Sequence, residues 1–324
     1  MKKVSCKIVV FLLLNLCIFT SVYADEIKVV PIGKAVGVKI YTDGLLVVGT
    51  SEVNGENVSK KYGIKINDRI EKINNQLINS TEEFSKAVNE NPSGVALSIK
   101  RDNQDILINA VPVLSEDNIY RLGLWVRDST AGIGTVTYYN PQNNSFAALG
   151  HGINDIDTGN ILSVKSGNIL NCDILSVSKS SKGHPGEING AFDGNTIGNI
   201  SINSQIGIYG NMSCDKFSSD NAIPVAAKEQ ICESDAYILS DVIGQKAEKY
   251  SIKINKITND SDKGLIIEIT DPRLIDCTGG IVQGMSGSPI VMDGKLVGAV
   301  THVFVNSTNE GYGIYVGNMM QNYK

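Results

Sequence analysis

Beyond residue 118 the chain consists almost entirely of short β-sized runs, and this habit excludes most folds. "GIGTVTYYN", "NILSVKSGNILNCDILSVSKS", "IGNISINSQIGIYG", "KYSIKINKIT", "GLIIEIT", "SPIVMDGKLVGAVTHVFVN" and "GYGIYVG" are rich in Ile and Val and bounded by Gly, Asn, Asp and Ser. Many short strands separated by such turns predict a sandwich or a barrel. No long amphipathic helix, internal repeat or low-complexity tract interrupts the pattern. The polar stretch Ser115 to Asn118 marks the expected boundary, giving a β-rich domain over 115–324.

Residues 25–114 read differently. "STEEFSKAVNEN" carries an N-cap at Ser80 or Thr81 before Glu82 and Glu83, with Phe84, Ala87 and Val88 on one face. "GVALSIKRDNQDILINAVPV" predicts two strands round a polar turn. This pattern, with its core "YGIKINDRIEKIN", resembles a PDZ domain of the kind attached to exported bacterial proteases. Asn67-Asp68 stands where that family usually has Gly-Asp, a mild departure because Asn tolerates a left-handed backbone. The resemblance implies capture of a peptide as an added strand, with Gly44, Leu45, Leu46 and Val47 as the expected peptide-binding strand.

The first 24 residues stand apart. Lys2, Lys3 and Lys7 precede an apolar run from Ile8 to Phe19, and Val22-Tyr23-Ala24 offers small residues for a peptidase. A bilayer span needs about 20 apolar residues, so the segment reads as a secretory signal or a retained N-terminal anchor. Either places the remainder outside the cytoplasm. The whole chain carries −5, and beyond this segment the charge is more acidic still, which argues against nucleic acid as a partner. Cys172, Cys214, Cys232 and Cys277 show no C-x-x-C pairing and no zinc spacing. They are compatible with disulfides or with small buried hydrophobes. No metal site, phosphate loop or dinucleotide fingerprint appears, and no cofactor is expected.

"GGIVQGMSGSPIVMDGKLVGAVTH" (residues 279–302) carries the chemistry. A nucleophilic serine needs a base, an oxyanion pocket and an exposed hydroxyl. Gly284 permits a backbone in which the amides of Gly284 and Ser286 point at one oxyanion, and Gly287 is expected to leave room for an acyl group. This is the "GxSGxP" arrangement of chymotrypsin-like serine peptidases, with Ser286 as nucleophile and Ser288 in the turn. It is not the strand-to-helix elbow of α/β-hydrolases, because Asp293-Gly294 makes a hairpin turn directly after it. Met285 stands where zymogen-type trypsins keep an aspartate for a new N-terminus, so the pocket is expected not to need a freed amine.

Three histidines compete as base. His151 in "FAALGHGIND" ends a β-like run among small residues. His184 reads as a loop residue. His302 reads as a packed strand histidine and is the runner-up. Base and nucleophile come from different barrels in this class, which favours His151. Asp155, Asp157, Asp193, Asp241, Asp271 and Asp276 are all available to orient it; Asp271, at a strand end before Pro272, stands out modestly.

Together the export segment, the PDZ-like stretch, "RLGLWVRDSTAGIGT", "ALGHGI", "PGEINGAF", "ITDPRLI" and the serine segment resemble the stage IV sporulation protein B peptidases of endospore formers. That resemblance implies a mainly β fold: a PDZ-like α+β module followed by a chymotrypsin/trypsin-like β-barrel peptidase. It carries a catalytic triad onto His151, Asp271 and Ser286, although Asp271 lies only 15 residues before the serine. It implies secretion into the space between the two forespore membranes, and cleavage of the chain itself and of a membrane-anchored regulator of an intramembrane protease, signalling late sigma-factor activation. Two other classes compete: a catalytically idle PDZ scaffold of the spore envelope, and a quality-control protease, in which the PDZ module normally follows the protease.

Overall fold

One long strand ties the molecule together. In the computed structural model, which describes residues 26–212, 219–244 and 246–321, β1 (Lys28–Thr50) is followed by α1 (Val58–Tyr62), β2 (Arg69–Ile73), α2 (Thr81–Asn89), β3 (Val95–Arg101) and β4 (Gln104–Ala110). Next come β5 (Leu124–Asn140), β6 (Ser145–Ala148), β7 (Ser166–Ser178), β8 (Glu187–Ser204) and β9 (Gly207–Met212). The remainder comprises β10 (Asp235–Ser240), β11 (Glu248–Ile257), β12 (Leu265–Ile269), α3 (Pro272–Thr278), β13 (Pro289–Met292), β14 (Lys295–Phe304), β15 (Ser307–Tyr315) and α4 (Val316–Met320). The export segment and Cys214 lie outside the described residues.

The fold is mainly β, as the short runs predict. The first half of β1 pairs with β5 and β7, and the pairings β5–β6, β6–β9, β9–β8 and β8–β7 close a six-stranded ring. A second six-stranded barrel closes in the order β10-β11-β12-β15-β14-β13. Period-two patterning fills it: along β12 Leu265, Ile267 and Ile269 point inward while Ile266 and Glu268 do not. The two barrels meet across a shared core in which Val29, Tyr138 and Tyr209 pack with Leu296, Ile314 and Met319.

The expected hairpin turn is present, with Asp293 at φ +49° and Gly294 at φ +75°, the two left-handed residues that a tight β-turn needs to match strand twist. It joins β13 to β14 at the pair Met292–Lys295.

The second half of β1 leaves the first barrel and enters an α/β unit. There it pairs with β2, which pairs with β3, which in turn pairs with β4, under α1 and α2. The local expectations hold. Ser80 Oγ caps α2 at 3.1 Å from the Glu83 amide, and Phe84 and Val88 are buried. Asn67 is left-handed at φ +74°, and buried Asp68 binds Arg101 Nε at 2.6 Å.

Two expectations change. The expected division at 114/115 does not separate the sheets, because residues 34–41 are strand partners of 129–136. The α/β unit is therefore an insertion between two strands of the first barrel. The cause is a continuous strand that only bends, with a register shift between Tyr41 and Leu46 and Gly44 at φ +73°; such a bend leaves no linker to read. Further, Leu45, Leu46 and Val47 do not form a free edge. Leu45 and Leu46 pair with Ile70 and Arg69 on one side, and Leu46 and Val47 with Arg127 and Val126 on the other. With both rows of backbone groups used, that strand has no place for a peptide.

Candidate active site

The serine loop is held from the first barrel. Thr135 on β5 donates its amide to the Ser286 carbonyl at 2.9 Å and its hydroxyl to the Gly284 carbonyl at 2.7 Å. Gly287 donates to the Val300 carbonyl at 2.7 Å. A Cβ at Gly287 would stand 2.0 Å from the Thr135 carbonyl oxygen. Its freedom thus serves the close approach of the barrels, not the space for an acyl group expected from sequence. Gly284 and Gly287 sit at φ +99° and +100°, where only glycine is unstrained. Among the described residues, neither the Gly284 nor the Ser286 amide donates to a protein acceptor. Two free amides flanking a half-buried serine are what an oxyanion pocket requires.

His151 arrives from the opposite barrel on a strained turn. It follows β6 through Leu149 at φ +69° and Gly150 at φ +71°. For a leucine that conformation costs about 1–2 kcal/mol, held here by the Leu149 amide on the Thr135 carbonyl at 3.1 Å. Thr135 therefore clamps both the loop of His151 and the loop of Ser286. His151 Nδ1 lies 2.8 Å from the Gly152 carbonyl. That acceptor assigns the proton to Nδ1 and leaves Nε2 free. Burial lowers the His151 pKa, opposed in part by the Gly152 contact.

Ser286 and His151 line one cleft between the barrels, of about 530 Å³. Ile133, Leu149 and Ile153 wall it from one side, and Ile281, Val282 and Val303 from the other. Among the described residues no Asp, Glu, Lys or Arg lines it. In this state Ser286 Oγ donates to the Thr301 carbonyl at 2.6 Å.

His302 departs from its expected role as a packed histidine. It is exposed, lines the same cleft, and its ring centroid is 5.0 Å from that of His151. Loss of solvent on the cleft wall, with His151 and Lys263 nearby, pushes its pKa down to about 4. Exposed His184 lies in a turn with Ser181, outside the cleft.

The structure does not bring Asp271 to the imidazole. None of the six candidate aspartates lines the cleft. Asp271 caps α3 through the Arg273 amide at 3.0 Å, pairs with the Arg273 guanidinium at 3.0 Å and accepts from the Ser251 amide at 3.3 Å. Arg273 holds its carboxyl below the ordinary range. The same Asp-Pro signal that drew attention to it is a helix start, with Pro at the first helical position. Asp155 and Asp157 both bind Arg127, and Asp241 accepts the Ala35 amide at 2.9 Å. Thr135, the Gly152 carbonyl and the Thr301 carbonyl were not readable as site groups, since two act through the main chain. Cys172, Cys232 and Cys277 are free thiols, and no metal-binding cluster occurs among the described residues.

A mainly β barrel fold with a glycine-flanked serine, free loop amides and a histidine in one cleft defines a serine peptidase. Residues 118–320 match the family described as SpoIVB peptidase S55, and the chain belongs to that family. No curated protein matches it. Among solved structures, the Rv3671c protease from M. tuberculosis in its active form is 12% identical, with 59% of this chain and 72% of that one covered and a TM-score of 0.34. A thermostable serine protease, AL20, from an extremophilic microorganism is 12% identical, with 60% and 89% covered and a TM-score of 0.34.

Proposed function

We propose that this serine peptidase is an exported regulatory endopeptidase of endospore formation. It works between the two forespore membranes, tethered or released by its N-terminal segment, and cuts itself and a membrane-associated regulator of an intramembrane protease. The observation that carries the endopeptidase reading is Ser286, with two unengaged loop amides, in an open cleft shared with His151.

The chemistry is acyl transfer. A substrate carbonyl enters with its oxygen toward the Gly284 and Ser286 amides. Ser286 Oγ leaves the Thr301 carbonyl and attacks the carbonyl carbon, while His151 Nε2 takes its proton. The tetrahedral intermediate collapses as that proton passes to the leaving amine, and water releases the acyl group by the reverse sequence. Each oxyanion donor is worth about 10²–10³ in rate.

The α/β unit is proposed as a PDZ-like peptide-capture module. Its strand Leu124–Val126 pairs with β1 on one side, and together with Phe84, Ser85 and Val88 of α2 it lines a groove of about 910 Å³. That strand, not Gly44–Val47, is the edge proposed to receive a peptide.

Fluorophosphonate labelling of residues 25–324 tests the catalytic reading. Wild type should be labelled and Ser286→Ala should not. Labelling of the Ala variant, or a wild type that stays unlabelled and uncut, favours the idle scaffold instead.

A further inference from the structure

The cleft holds a second imidazole that the proposed mechanism leaves unused. We infer that His151 and His302 together form a binding site for one divalent metal ion of the Zn²⁺ class, whose arrival switches the peptidase off. The inhibitory effect rests on the serine peptidase reading; the metal site itself does not.

A metal needs a nitrogen lone pair that no proton occupies. His151 Nδ1 lies 2.8 Å from the Gly152 carbonyl, and any acceptor at that nitrogen leaves Nε2 as the ligating atom. His302 is exposed and lines the same cleft. Among the described residues no hydrogen bond engages its ring. Two imidazoles on one tetrahedral ion, each nitrogen about 2.0–2.1 Å from it, have ring centres about 5 Å apart. The two centres here are 5.0 Å apart, with planes tilted by 39°. Simple ring packing also accepts that separation, so response to a metal is what separates the two roles.

The surroundings decide which ion fits. No Lys or Arg lines the cleft among the described residues to repel a cation. Lys263 and Asp262, from the loop before β12, act on His302 with opposite charges, and the Lys263 ammonium is drawn over the Tyr312 ring at 5.1 Å. Two imidazoles without a thiolate or carboxylate suit Zn²⁺, Cu²⁺ or Ni²⁺ and not Mg²⁺ or Ca²⁺. Among the described residues no third His, Cys, Asp or Glu joins the pair. Water therefore fills the remaining positions, and the ion is exchangeable, unlike one in a closed structural site.

The consequence follows from which lone pair is used. Activation of Ser286 needs the Nε2 lone pair of His151 to take a proton. A coordinated ion holds that pair, exchanging water ligands for imidazole nitrogens with no change in oxidation state. Ser286 Oγ then stays on the Thr301 carbonyl at 2.6 Å. His151 follows β6 of the first barrel and His302 lies on β14 of the second, so the ion also ties the two walls of the cleft together. Its withdrawal frees the base again.

The experiment adds Zn²⁺ to the full exported chain and reads titration calorimetry, thermal midpoint and fluorophosphonate labelling in wild type, His302→Ala, His302→Phe and His184→Ala. Labelling is scaled to each variant's own rate in chelator. Wild type and His184→Ala should bind one Zn²⁺ per chain, show a midpoint that rises with Zn²⁺, and lose labelling until chelator is added. His302→Ala and His302→Phe should need at least about tenfold more Zn²⁺ for the same effects, since even an outer partner of a metal ligand is worth that much affinity. Phenylalanine keeps a ring against His151 without a donor nitrogen, so packing alone would leave His302→Phe like wild type. Zn²⁺ that moves neither midpoint nor labelling, or that binds wild type and both His302 variants equally, overturns the inference. A wild type that binds Zn²⁺ through His302 yet never labels, even in chelator, upholds the site and overturns the peptidase reading together with the inhibition built on it.

Discussion

Ser286 Oγ donates its proton to the main-chain carbonyl of Thr301 at 2.6 Å. The proposed nucleophile therefore rests on a neighbouring strand, and the proposed reaction requires its hydroxyl to turn away from that carbonyl. One neutral hydrogen bond is worth about 0.5–1.5 kcal/mol, a small barrier that bound substrate can offset. Removing the hydroxyl should cost little stability: Ser286→Ala is expected to shift the thermal midpoint by no more than about 4 °C, while labelling disappears. A larger shift in calorimetry would mean that the hydroxyl has a structural role.

The two small residues after the nucleophile should respond in opposite ways. Gly287→Ala places a Cβ 2.0 Å from the Thr135 carbonyl oxygen at φ +100°. We expect several kcal/mol of destabilisation and loss of activity, as the clamp shared by both loops opens. Ser288 Oγ is buried without a partner, so Ser288→Ala should leave stability unchanged or raise it by about 1 kcal/mol, with labelling intact. Urea unfolding of both variants checks the pair.

Met285 has no exposed surface and belongs to the core of the second barrel. An amine freed by cleavage would meet a thioether there, not a carboxylate. A chain with a chemically blocked N-terminus is therefore expected to label at the wild-type rate. Met285→Asp should unfold the second barrel, since an unpaired buried carboxylate costs several kcal/mol. Activity confined to one defined free amine would contradict this.

The two histidines set the acid side. Both have pKa values below the ordinary 6.5, His302 at about 4. The unfolded chain takes up protons near pH 6.5, before the folded one does, so their contribution to stability is complete above pH 6.5 and is lost as pH falls toward 4. Labelling should persist at pH 6, where an ordinary imidazole would already be largely charged. Chemical denaturation and labelling across pH 4–8 measure both limbs.

The cleft walls contain no charged side chain among the described residues. A charged side chain placed there by a substrate loses its water without gaining a partner. Peptides with Val, Leu or Phe before the scissile bond should be cut at least about a hundredfold faster than those with Lys or Asp. A peptide library read by mass spectrometry distinguishes the outcomes.

Much of this was legible because it is local. The Asp293-Gly294 turn, the Ser80 cap and left-handed Asn67 each depend on a few adjacent residues, and each appears as read; in the "GMSGSP" loop the left-handed glycines are present, but Gly287 serves barrel contact and not acyl room. His151 was favoured among three histidines, and it lines the cleft with Ser286, as His302 also does. For Asp271, a strand end, an aspartate and a proline describe a helix cap as well as an orienting acid, and the cap is the contact it makes in this structure. Gly44–Val47 misled because strand-forming residues do not reveal which edges are already paired. The roles of Thr135, Thr301 and Gly152 depend on contacts across 149, 15 and 1 positions in the chain, and the last two use backbone oxygens that every residue possesses.

Because β1 is a stave of the first barrel before it reaches the α/β unit, the N-terminal region cannot be shed as a separable pro-segment. A cut within residues 34–41 would strip the partners from Ser129 to Val136 and with them loosen Thr135, the clamp on both catalytic loops. Any cleavage compatible with activity is therefore expected to spare residues 34–41, and a cut within them is expected to lower it.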